Sequence, residues 1–406
     1  MGSTQPKTPK EHFDDTLAEV RHRAATRGTP PSRNHKGAAR PGPKRPVALY
    51  TYPMSHRTMR ALVLHGIGDL RVEEVPRPIP APGEVLVRVA FCGVCGSDIP
   101  RVFVKGTYRF PLICGHEFAG TVEECGQGVT GYREGDRVAV FPLLWCGRCP
   151  ACERGAFVMC SSYDYYGSRR DGAFAEFVAV PERNLLKVPE GVSLEAAAMT
   201  EPAAVALHAL RRAGGSLVGQ TAVIFGAGPI GLLAAQWARR MGAEQVILFD
   251  VVPEKLHMAR RLGFGLAFDS NACGPVEVVS SLTAGRGAEL CIEAAGVPPT
   301  LCQAIAVART GGRVVILGNP SADVTLPASL ISQTMRRELD LLGVWNSTFS
   351  PAGNNDDWHA VLSAVAAGRL ELEPIVTHRV PLEDARAALL RMRDRTEFFA
   401  KVLIQP

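Results

Sequence analysis

A glycine-rich turn between a predicted strand and a predicted helix is the strongest constraint on the fold of this 406-residue chain. The segment TAVIFGAGPIGLLAAQWARRMGAEQVILFD gives an apolar strand, the turn, an amphipathic helix that ends near Gly242, and a second strand that ends in Asp250. The turn holds Gly226, Gly228 and Gly231 in the order GxGxxG. That pattern alone is a weak signal, but with these flanking elements and the acidic residue it predicts a dinucleotide-binding turn.

Each position of this turn has a physical role in the prediction. Gly226 permits the tight turn, Gly228 lets the backbone approach a pyrophosphate, and Gly231 lets the helix pack closely on the strand. The N-terminus of the helix offers its positive dipole to phosphate groups. We expect Asp250 to hydrogen-bond the adenosine ribose and to repel a 2′-phosphate, which favours NAD over NADP. The predicted cofactor-binding residues are Gly226, Gly228, Pro229, Ile230, Gly231 and Asp250.

Further strands follow this unit and alternate with helical stretches. ELCIEAAG, GRVVILGN and ELDLLGVW are predicted strands, and TLCQAIAVART is a predicted helix. This alternation predicts an α/β Rossmann fold with a doubly wound parallel sheet, which we place at residues 209–344.

Four cysteines within fifteen residues form a second constraint. They stand as CxxCxxCx7C at Cys146, Cys149, Cys152 and Cys160. Disulfides between such close neighbours would be strained, whereas Gly147 and Pro150 help the chain reverse around one ion. Four sulfur ligands fill a tetrahedral shell and leave no position for a substrate, so the pattern predicts a structural zinc site.

A second group of potential metal ligands lies in a region of short strands. MRALVLHGIGDLRVEEV, GEVLVRVAFCGVCGSD, PLICGHEFAGTVEECG and GDRVAVFPL alternate like strands and predict a compact barrel-like domain. Cys95 lies in this region, and His116 and Glu117 follow about twenty residues later. A thiolate, an imidazole and a carboxylate leave one coordination position open, which is the ligand set of a catalytic zinc.

Charge is distributed unevenly along the chain. Residues 1–58 carry eleven Lys or Arg and four Asp or Glu, so the rest is close to neutral although the whole chain has a net charge of +5. A near-neutral folded body argues against nucleic-acid binding.

No apolar run approaches the ~20 residues of a membrane span. We expect residues 1–58 to be a disordered extension without a signal peptide, and the protein to be cytoplasmic, where clustered cysteines bind metal.

Four ordered motifs together resemble the zinc-dependent medium-chain alcohol and polyol dehydrogenases. They are CGVCGSD, GHEFAG, the four-cysteine loop and GAGPIG, and the resemblance covers residues 59–406. It implies a GroES-like β-barrel catalytic domain at 59–208, to which residues 345–406 return, and a Rossmann domain at 209–344. It also implies two zinc ions per subunit, NAD as the hydride acceptor, and a homodimer or homotetramer.

The resemblance also assigns roles to individual residues. Cys95 and His116 match zinc ligands, and Glu201, in a Glu-Pro dipeptide, matches a third ligand, although Glu117 competes with it for that role. Asp98 matches a carboxylate that orients His116. Ser97 matches the hydroxyl that takes the proton of the alcohol. Pro100 stands where many relatives carry the histidine that ends this relay, while Cys92 and Cys114 match no ligand and are expected to be packing residues.

The substrate is the least determined part of the prediction. CGSDIPRVF, GHEFAG, YGSRRDGAFAEF and RRELDLLGVW are most similar to the branch of the family that oxidises hexitol phosphates. A free polyol such as sorbitol, or another secondary alcohol such as threonine or butanediol, stays open, and so does a non-catalytic protein that binds zinc and dinucleotide. Trp345 has two equal interpretations, as a pocket residue or as a core or interface residue. The candidate phosphate contacts are Arg101, Lys105, Arg169 and Arg170.

Overall fold

The computed structural model describes residues 57–353 and 355–406. The predicted disordered extension therefore lies outside the described residues, apart from residues 57 and 58. Among the described residues no helix is long and apolar enough to cross a membrane.

The first half of the described chain consists mainly of short strands, as predicted. They are β1 (Thr58–Gly66), β2 (Asp69–Pro76), β3 (Glu84–Gly93), β4 (Leu112–Ile113), β5 (Glu117–Cys125), β6 (Arg137–Val140), β7 (Leu143–Leu144), β8 (Asp164–Tyr165), β9 (Phe177–Pro181) and β10 (Leu185–Lys187). The helical segments among them are α1 (Asp98–Pro100), a π-helical turn (Arg101–Lys105), α2 (Pro150–Glu153), and 3-10 turns at Phe157–Met159 and Glu182–Asn184.

The middle of the chain alternates strands and helices. Two helices precede this part, α3 (Leu194–Ala198) and α4 (Thr200–Ala213). The strands are β11 (Thr221–Phe225), β12 (Gln245–Asp250), β13 (Ala267–Asp269), β14 (Ala288–Glu293), β15 (Ala308–Ile316) and β16 (Asp340–Gly343). The helices are α5 (Pro229–Arg240), α6 (Pro253–Arg261), α7 (Pro275–Leu282), α8 (Pro298–Val307) and α9 (Ala328–Arg336).

These six strands form one parallel sheet in the order β13-β12-β11-β14-β15-β16. The central strands β11 and β12 are buried along almost their whole length, as expected when both faces of a parallel sheet are covered. The order reverses direction at β11, and the ends of β11 and β14 next to that point form the usual ligand-binding edge of such a sheet. The predicted doubly wound sheet is confirmed.

The C-terminal part of the chain joins the first strands. It contains α10 (Asp357–Ala366), a 3-10 turn (Glu373–Ile375), β17 (Val376–Pro381), a second 3-10 turn (Leu382–Asp384), α11 (Ala385–Asp394) and β18 (Lys401–Gln405). Strand β18 pairs with β3 in a sheet of order β10-β6-β5-β3-β18-β17, with β9 also on β3. A separate sheet has the order β2-β1-β4. The predicted domain boundaries stay predictions, and residue 209 lies inside helix α4.

Candidate active site and metal centres

Cys95, His116 and Glu117 meet where β3 ends and β5 begins. Cys95 lies two residues beyond β3, and His116 directly precedes Glu117, the first residue of β5. The register of the two strands pairs Gly93 with Glu117, which brings both loops to the same edge. One donor atom from each of the three side chains lies within 4.8 Å of the other two. This sulfur, nitrogen and oxygen set can hold zinc with one coordination position left open.

Two glycines make room for this group. A Cβ at Gly93 would lie only 2.2 Å from Glu117 Oε2. Gly115 has a φ of +93°, and a Cβ there would lie 2.6 Å from the Phe174 ring and 2.8 Å from Cys92 Sγ. A larger residue at Gly93 would therefore displace Glu117, and one at Gly115 would displace the buried side chains next to His116.

The residues of this group fit a metal cation on two further observations. His116 is 4 % exposed, and within the described chain its Nδ1 has no hydrogen-bond partner. A buried polar atom without a partner is costly. A bound metal ion would provide that partner. Desolvation, followed by the charges of Glu117 and Asp98, raises the pKa of the Cys95 thiol to about 12. A cation is therefore needed to hold Cys95 as a thiolate at neutral pH.

Glu201 lies beside the group but outside it. It sits in the first turn of α4, is 7 % exposed, and accepts a hydrogen bond of 3.3 Å from the hydroxyl of Tyr165. Burial raises the pKa of Glu201 to about 7. The set of mutually close donor atoms contains Glu117 rather than Glu201, so the identity of the third zinc ligand stays a prediction with both candidates.

Lys401 is part of this site, and the sequence analysis missed it. Its side chain is buried in β18, forms an ion pair with Glu117 and donates to the carbonyl of Val94 at 3.2 Å. Burial alone would lower the pKa of Lys401, but the negative charge of Glu117 outweighs burial and raises it. Lys401 therefore neutralises Glu117 from the protein side of the site. Its only sequence signal is a lysine among apolar residues in AKVLIQ.

We expect Lys401→Met to destabilise the protein by about 3 kcal/mol, because the charge of Glu117 would be left buried without its partner. The shift of the thermal unfolding midpoint measures this effect. Lys187→Met is the matched control, since the ion pair of Lys187 with Asp136 is exposed at the lysine end and is expected to contribute less than about 1 kcal/mol. Equal shifts in the two variants would contradict a structural role for the Lys401 pair.

The loop after Cys95 departs from one expectation. Asp98 is fully buried and accepts the backbone N–H of Cys95 at 2.9 Å, but its Oδ1 is 3.7 Å from His116 Nδ1. That distance is too long for a hydrogen bond. Arg101 forms an ion pair with the same Oδ1 and so competes with the imidazole for it. Asp98 therefore positions Cys95 and Arg101, and the predicted hydrogen bond to His116 is not formed.

Ser97, the predicted proton acceptor, stands at the start of α1. Its side chain is exposed and caps no backbone N–H of that helix. The guanidinium of Arg101 approaches its hydroxyl at 3.5 Å. The hydroxyl is thus accessible on the same short loop as Cys95, and its role as proton acceptor stays a prediction.

The four-cysteine loop forms a second donor group. The sulfurs of Cys146, Cys149, Cys152 and Cys160 all lie within 4.8 Å of one another. The sulfur atoms of Cys149 and Cys152 are 3.5 Å apart, which excludes a disulfide between them. Backbone N–H groups of Cys152 and Ser161 lower the pKa of Cys149 to about 5, while burial raises that of Cys152 to about 12. Four converging sulfurs, one of them readily ionised, fit a closed zinc site.

The glycine turn has the geometry expected of a phosphate cradle. Gly226 has a φ of +99°, and a Cβ on Gly231 would lie 1.8 Å from the carbonyl oxygen of Gly226. Around Gly228 a Cβ would meet nothing within 4 Å, so the backbone there is open to a ligand. Pro229 and Ile230 begin the twelve-residue helix α5 directly after it. The open turn and the helix N-terminus fit a pyrophosphate.

Asp250 closes this turn from the side of β12. Its carboxylate is 8 % exposed and accepts hydrogen bonds from the backbone N–H groups of Ala227, Val251 and Val252, at 2.8, 2.8 and 3.0 Å. Lys255 Nζ lies 3.3 Å away. These hydrogen bonds stabilise the glycine turn. The role of Asp250 as the residue that binds the ribose stays a prediction.

Two family sequence models match the parts of the chain that carry these sites. The model described as "Alcohol dehydrogenase GroES-like domain" matches residues 81–190, and the one described as "Zinc-binding dehydrogenase" matches residues 229–367. Galactitol 1-phosphate 5-dehydrogenase of Escherichia coli strain K12 is 36 % identical over 349 residues, which is 86 % of this chain and 100 % of the relative. The chain belongs to the zinc-binding dehydrogenase family. Membership confirms the predicted GroES-like and Rossmann fold and the predicted class of enzyme.

Other members of the zinc-binding dehydrogenase family are nearly as similar. L-threonine 3-dehydrogenase of Symbiobacterium thermophilum is 35 % identical over 339 residues, 82 % of this chain and 94 % of the relative. The crystal structure of a zinc-binding dehydrogenase from Sinorhizobium meliloti 1021 bound to NADP has a TM-score of 0.79 at 32 % identity and covers 86 % of this chain and 100 % of its own. Zinc and a nicotinamide dinucleotide are thus confirmed as the cofactors of this zinc-binding dehydrogenase.

The remaining predicted residues fall into different environments. Cys92 and Cys114 are fully buried in the core around β3 and β4. Trp345 is 55 % exposed, which excludes a core position within this subunit. Arg170 forms an ion pair with Asp164 at 2.7 Å, whereas Lys105 is exposed at the end of the π-helical turn.

Proposed function

We propose that this enzyme oxidises a secondary alcohol of a polyol or polyol phosphate to a ketone, and that its substrate is a hexitol phosphate resembling galactitol 1-phosphate. The observation that carries the proposal is the coexistence of two unlike donor groups. The cysteine loop supplies four mutually close sulfur donors, whereas Cys95, His116 and Glu117 supply three donors. An open set of three leaves a place for a hydroxyl group, as a catalytic zinc site requires.

Each residue of the open donor group has its own role in the proposed reaction. Cys95 and His116 would hold the zinc, and Glu117 or Glu201 would supply the third ligand. Zinc supplies a Lewis acid that lowers the pKa of a bound hydroxyl, and NAD supplies the hydride acceptor. Ser97 would accept the proton of the substrate hydroxyl and pass it toward the cofactor ribose. The proton would then leave through water or another group, because Pro100 stands where many relatives carry a histidine.

The choice of substrate is supported by the 36 % identical relative, which acts on galactitol 1-phosphate. A second candidate, L-threonine, is favoured by a relative that is 35 % identical. A panel of galactitol 1-phosphate, galactitol, sorbitol, 2,3-butanediol and L-threonine, each with NAD, separates these. We expect the highest kcat/KM for the phosphate. A higher kcat/KM for threonine would replace the first candidate by the second, and no turnover with one zinc per chain would support the non-catalytic alternative.

We expect Asp250→Gly to lower the preference for NAD over NADP, because the variant removes the charge that repels a 2′-phosphate. The ratio of kcat/KM for the two cofactors measures this on one protein sample, so any loss of stability of the turn cancels. We expect the ratio to fall more than about tenfold, the change that corresponds to ~1.4 kcal/mol. An unchanged ratio would limit Asp250 to its structural hydrogen bonds.

The quaternary structure and the location are part of the same proposal. We propose a homodimer or homotetramer that works in the cytoplasm on a small-molecule substrate, without a nucleic-acid or membrane partner. Light scattering of the purified protein measures its molar mass and so distinguishes a homodimer from a homotetramer.

A further inference from the structure

Arg169 is held between two aromatic rings near the open donor group. Its guanidinium carbon lies 4.2 Å from the ring centre of Tyr108 and 4.5 Å from that of Tyr163. One of its N–H groups also points to the hydroxyl of Tyr108 at 3.3 Å. Aromatic rings stack on the faces of a guanidinium and leave the N–H donors at its edge available. The two ring contacts therefore hold the guanidinium of Arg169 in place while N–H donors remain available at its edge.

Within the described chain, Arg169 has no carboxylate partner, in contrast to the arginines around it. Arg101 is paired with Asp98, Arg109 with Asp171 at 2.9 Å, and Arg170 with Asp164 at 2.7 Å. Arg169 is half-buried and still carries an uncompensated positive charge. A cation that is held rigidly and left without a counter-ion suits an anionic ligand.

The loop that carries Arg169 packs directly against the open donor group. The backbone N–H of Arg169 donates to the carbonyl of Tyr165 at 3.0 Å, and the ring of Tyr165 meets the imidazole of His116 edge-on at 5.7 Å. A Cβ on Gly172 would lie 2.1 Å from the carbonyl oxygen of Gly115, the residue before His116. Such close backbone approach leaves the loop little freedom to move away from the metal ligands.

A row of rings connects the two positions. Tyr163 contacts Tyr165 edge-on at 6.4 Å, so the order along the row is His116, Tyr165, Tyr163 and Arg169. These ring contacts join the guanidinium and the metal-binding residues in one packed cluster. The hydroxyl of Tyr165 already donates to Glu201 at 3.3 Å, which ties the same row to the metal-binding residues.

We propose that Arg169 binds the phosphate group of the substrate and thereby selects a phosphorylated polyol over a free one. This inference rests on the proposed function and deepens it, since it names the residue that recognises the phosphate. The guanidinium edge offers two parallel N–H donors to phosphate oxygens, and the hydroxyl of Tyr108 adds a third donor beside them. Arg101 and Arg170 are excluded from the role because each already neutralises a carboxylate.

The test compares kcat/KM for galactitol 1-phosphate and for galactitol, both with NAD, in the wild-type enzyme and in Arg169→Gln. We expect the ratio of the two values to fall about 100-fold, because charge-assisted hydrogen bonds to the phosphate are lost. Inorganic phosphate is expected to compete with galactitol 1-phosphate in the wild type and to compete much more weakly in Arg169→Gln. Arg169→Lys keeps the positive charge but loses the paired N–H donors of the guanidinium. Its kcat/KM ratio should therefore lie between those of the wild type and Arg169→Gln.

Arg212→Gln is the matched control, because it removes an exposed positive charge in the last turn of α4, at the opposite end of that helix from Glu201. We expect it to change the ratio less than about threefold, as exposed charges are screened. If Arg169→Gln changes kcat/KM equally for both substrates, or changes neither, Arg169 does not recognise phosphate and the proposed function still stands. If the wild type oxidises only free polyols and inorganic phosphate does not compete, this inference and the choice of a hexitol phosphate as substrate both fail, while oxidation of a polyol still stands. If the wild type oxidises none of these compounds, the proposed function fails and this inference fails with it.

Discussion

Replacing Cys95 with serine is expected to abolish NAD reduction by this enzyme while leaving its fold intact. Serine has nearly the same size, but its hydroxyl is not ionised at neutral pH and is a poor zinc ligand. Loss of a residue that only supports a ligand typically costs 10- to 100-fold, so loss of a ligand should lower kcat by more than about 100-fold. The measurements are the rate of NADH formation and the zinc content, which we expect to fall from two ions per chain to one.

Cys92→Ser provides the control for this experiment. Cys92 is a fully buried thiol in β3, only three residues before Cys95, and it does not belong to the open donor group. We expect this variant to retain both zinc ions and most of its activity. If Cys95→Ser kept most of the wild-type rate, Cys95 would not be a ligand of a catalytic metal.

The second large effect is expected at the four-cysteine loop. Cys149→Ser removes one of four sulfurs from a closed site, and binding of a structural zinc contributes directly to the free energy of folding. We expect the thermal unfolding midpoint to fall by about 10 °C, which corresponds to a loss of at least ~3 kcal/mol in a domain of this size. Cys273→Ser, at a half-buried cysteine outside both donor groups, is the control. A normal midpoint for Cys149→Ser would mean that the loop does not stabilise the protein.

Local patterns made much of the fold and of both donor groups predictable. The turn at Gly226, Gly228 and Gly231 is contiguous in sequence, and the strand and helix beside it have clear apolar periods, so the segment specifies its own geometry. The four cysteines are also close in sequence. Cys95, His116 and Glu117 were grouped by their ligand types and by the family resemblance, and the structure places them at the ends of β3 and β5, which are adjacent strands of one sheet.

Contacts between distant segments could not be predicted in the same way. Lys401 reaches Glu117 across 284 positions, and only the pairing of β18 with β3 brings them together. Similarly, Arg101 captures the carboxylate of Asp98 that was expected to bond to His116, a competition decided by side-chain geometry. The sequence analysis named Arg169 and Arg170 as equivalent candidates, and only the packed structure separates the stacked arginine from the ion-paired one.

The central claim is that Cys95 and His116 hold a zinc ion with an open position facing the nicotinamide. Anomalous diffraction at the zinc absorption edge, from crystals grown with NAD, tests it most directly. We predict two zinc peaks per chain, one among the four sulfurs of the cysteine loop and one between Cys95 Sγ and the imidazole of His116, next to the nicotinamide ring. A single peak at the cysteine loop, or a second ion enclosed by ligands and far from the ring, would contradict the account.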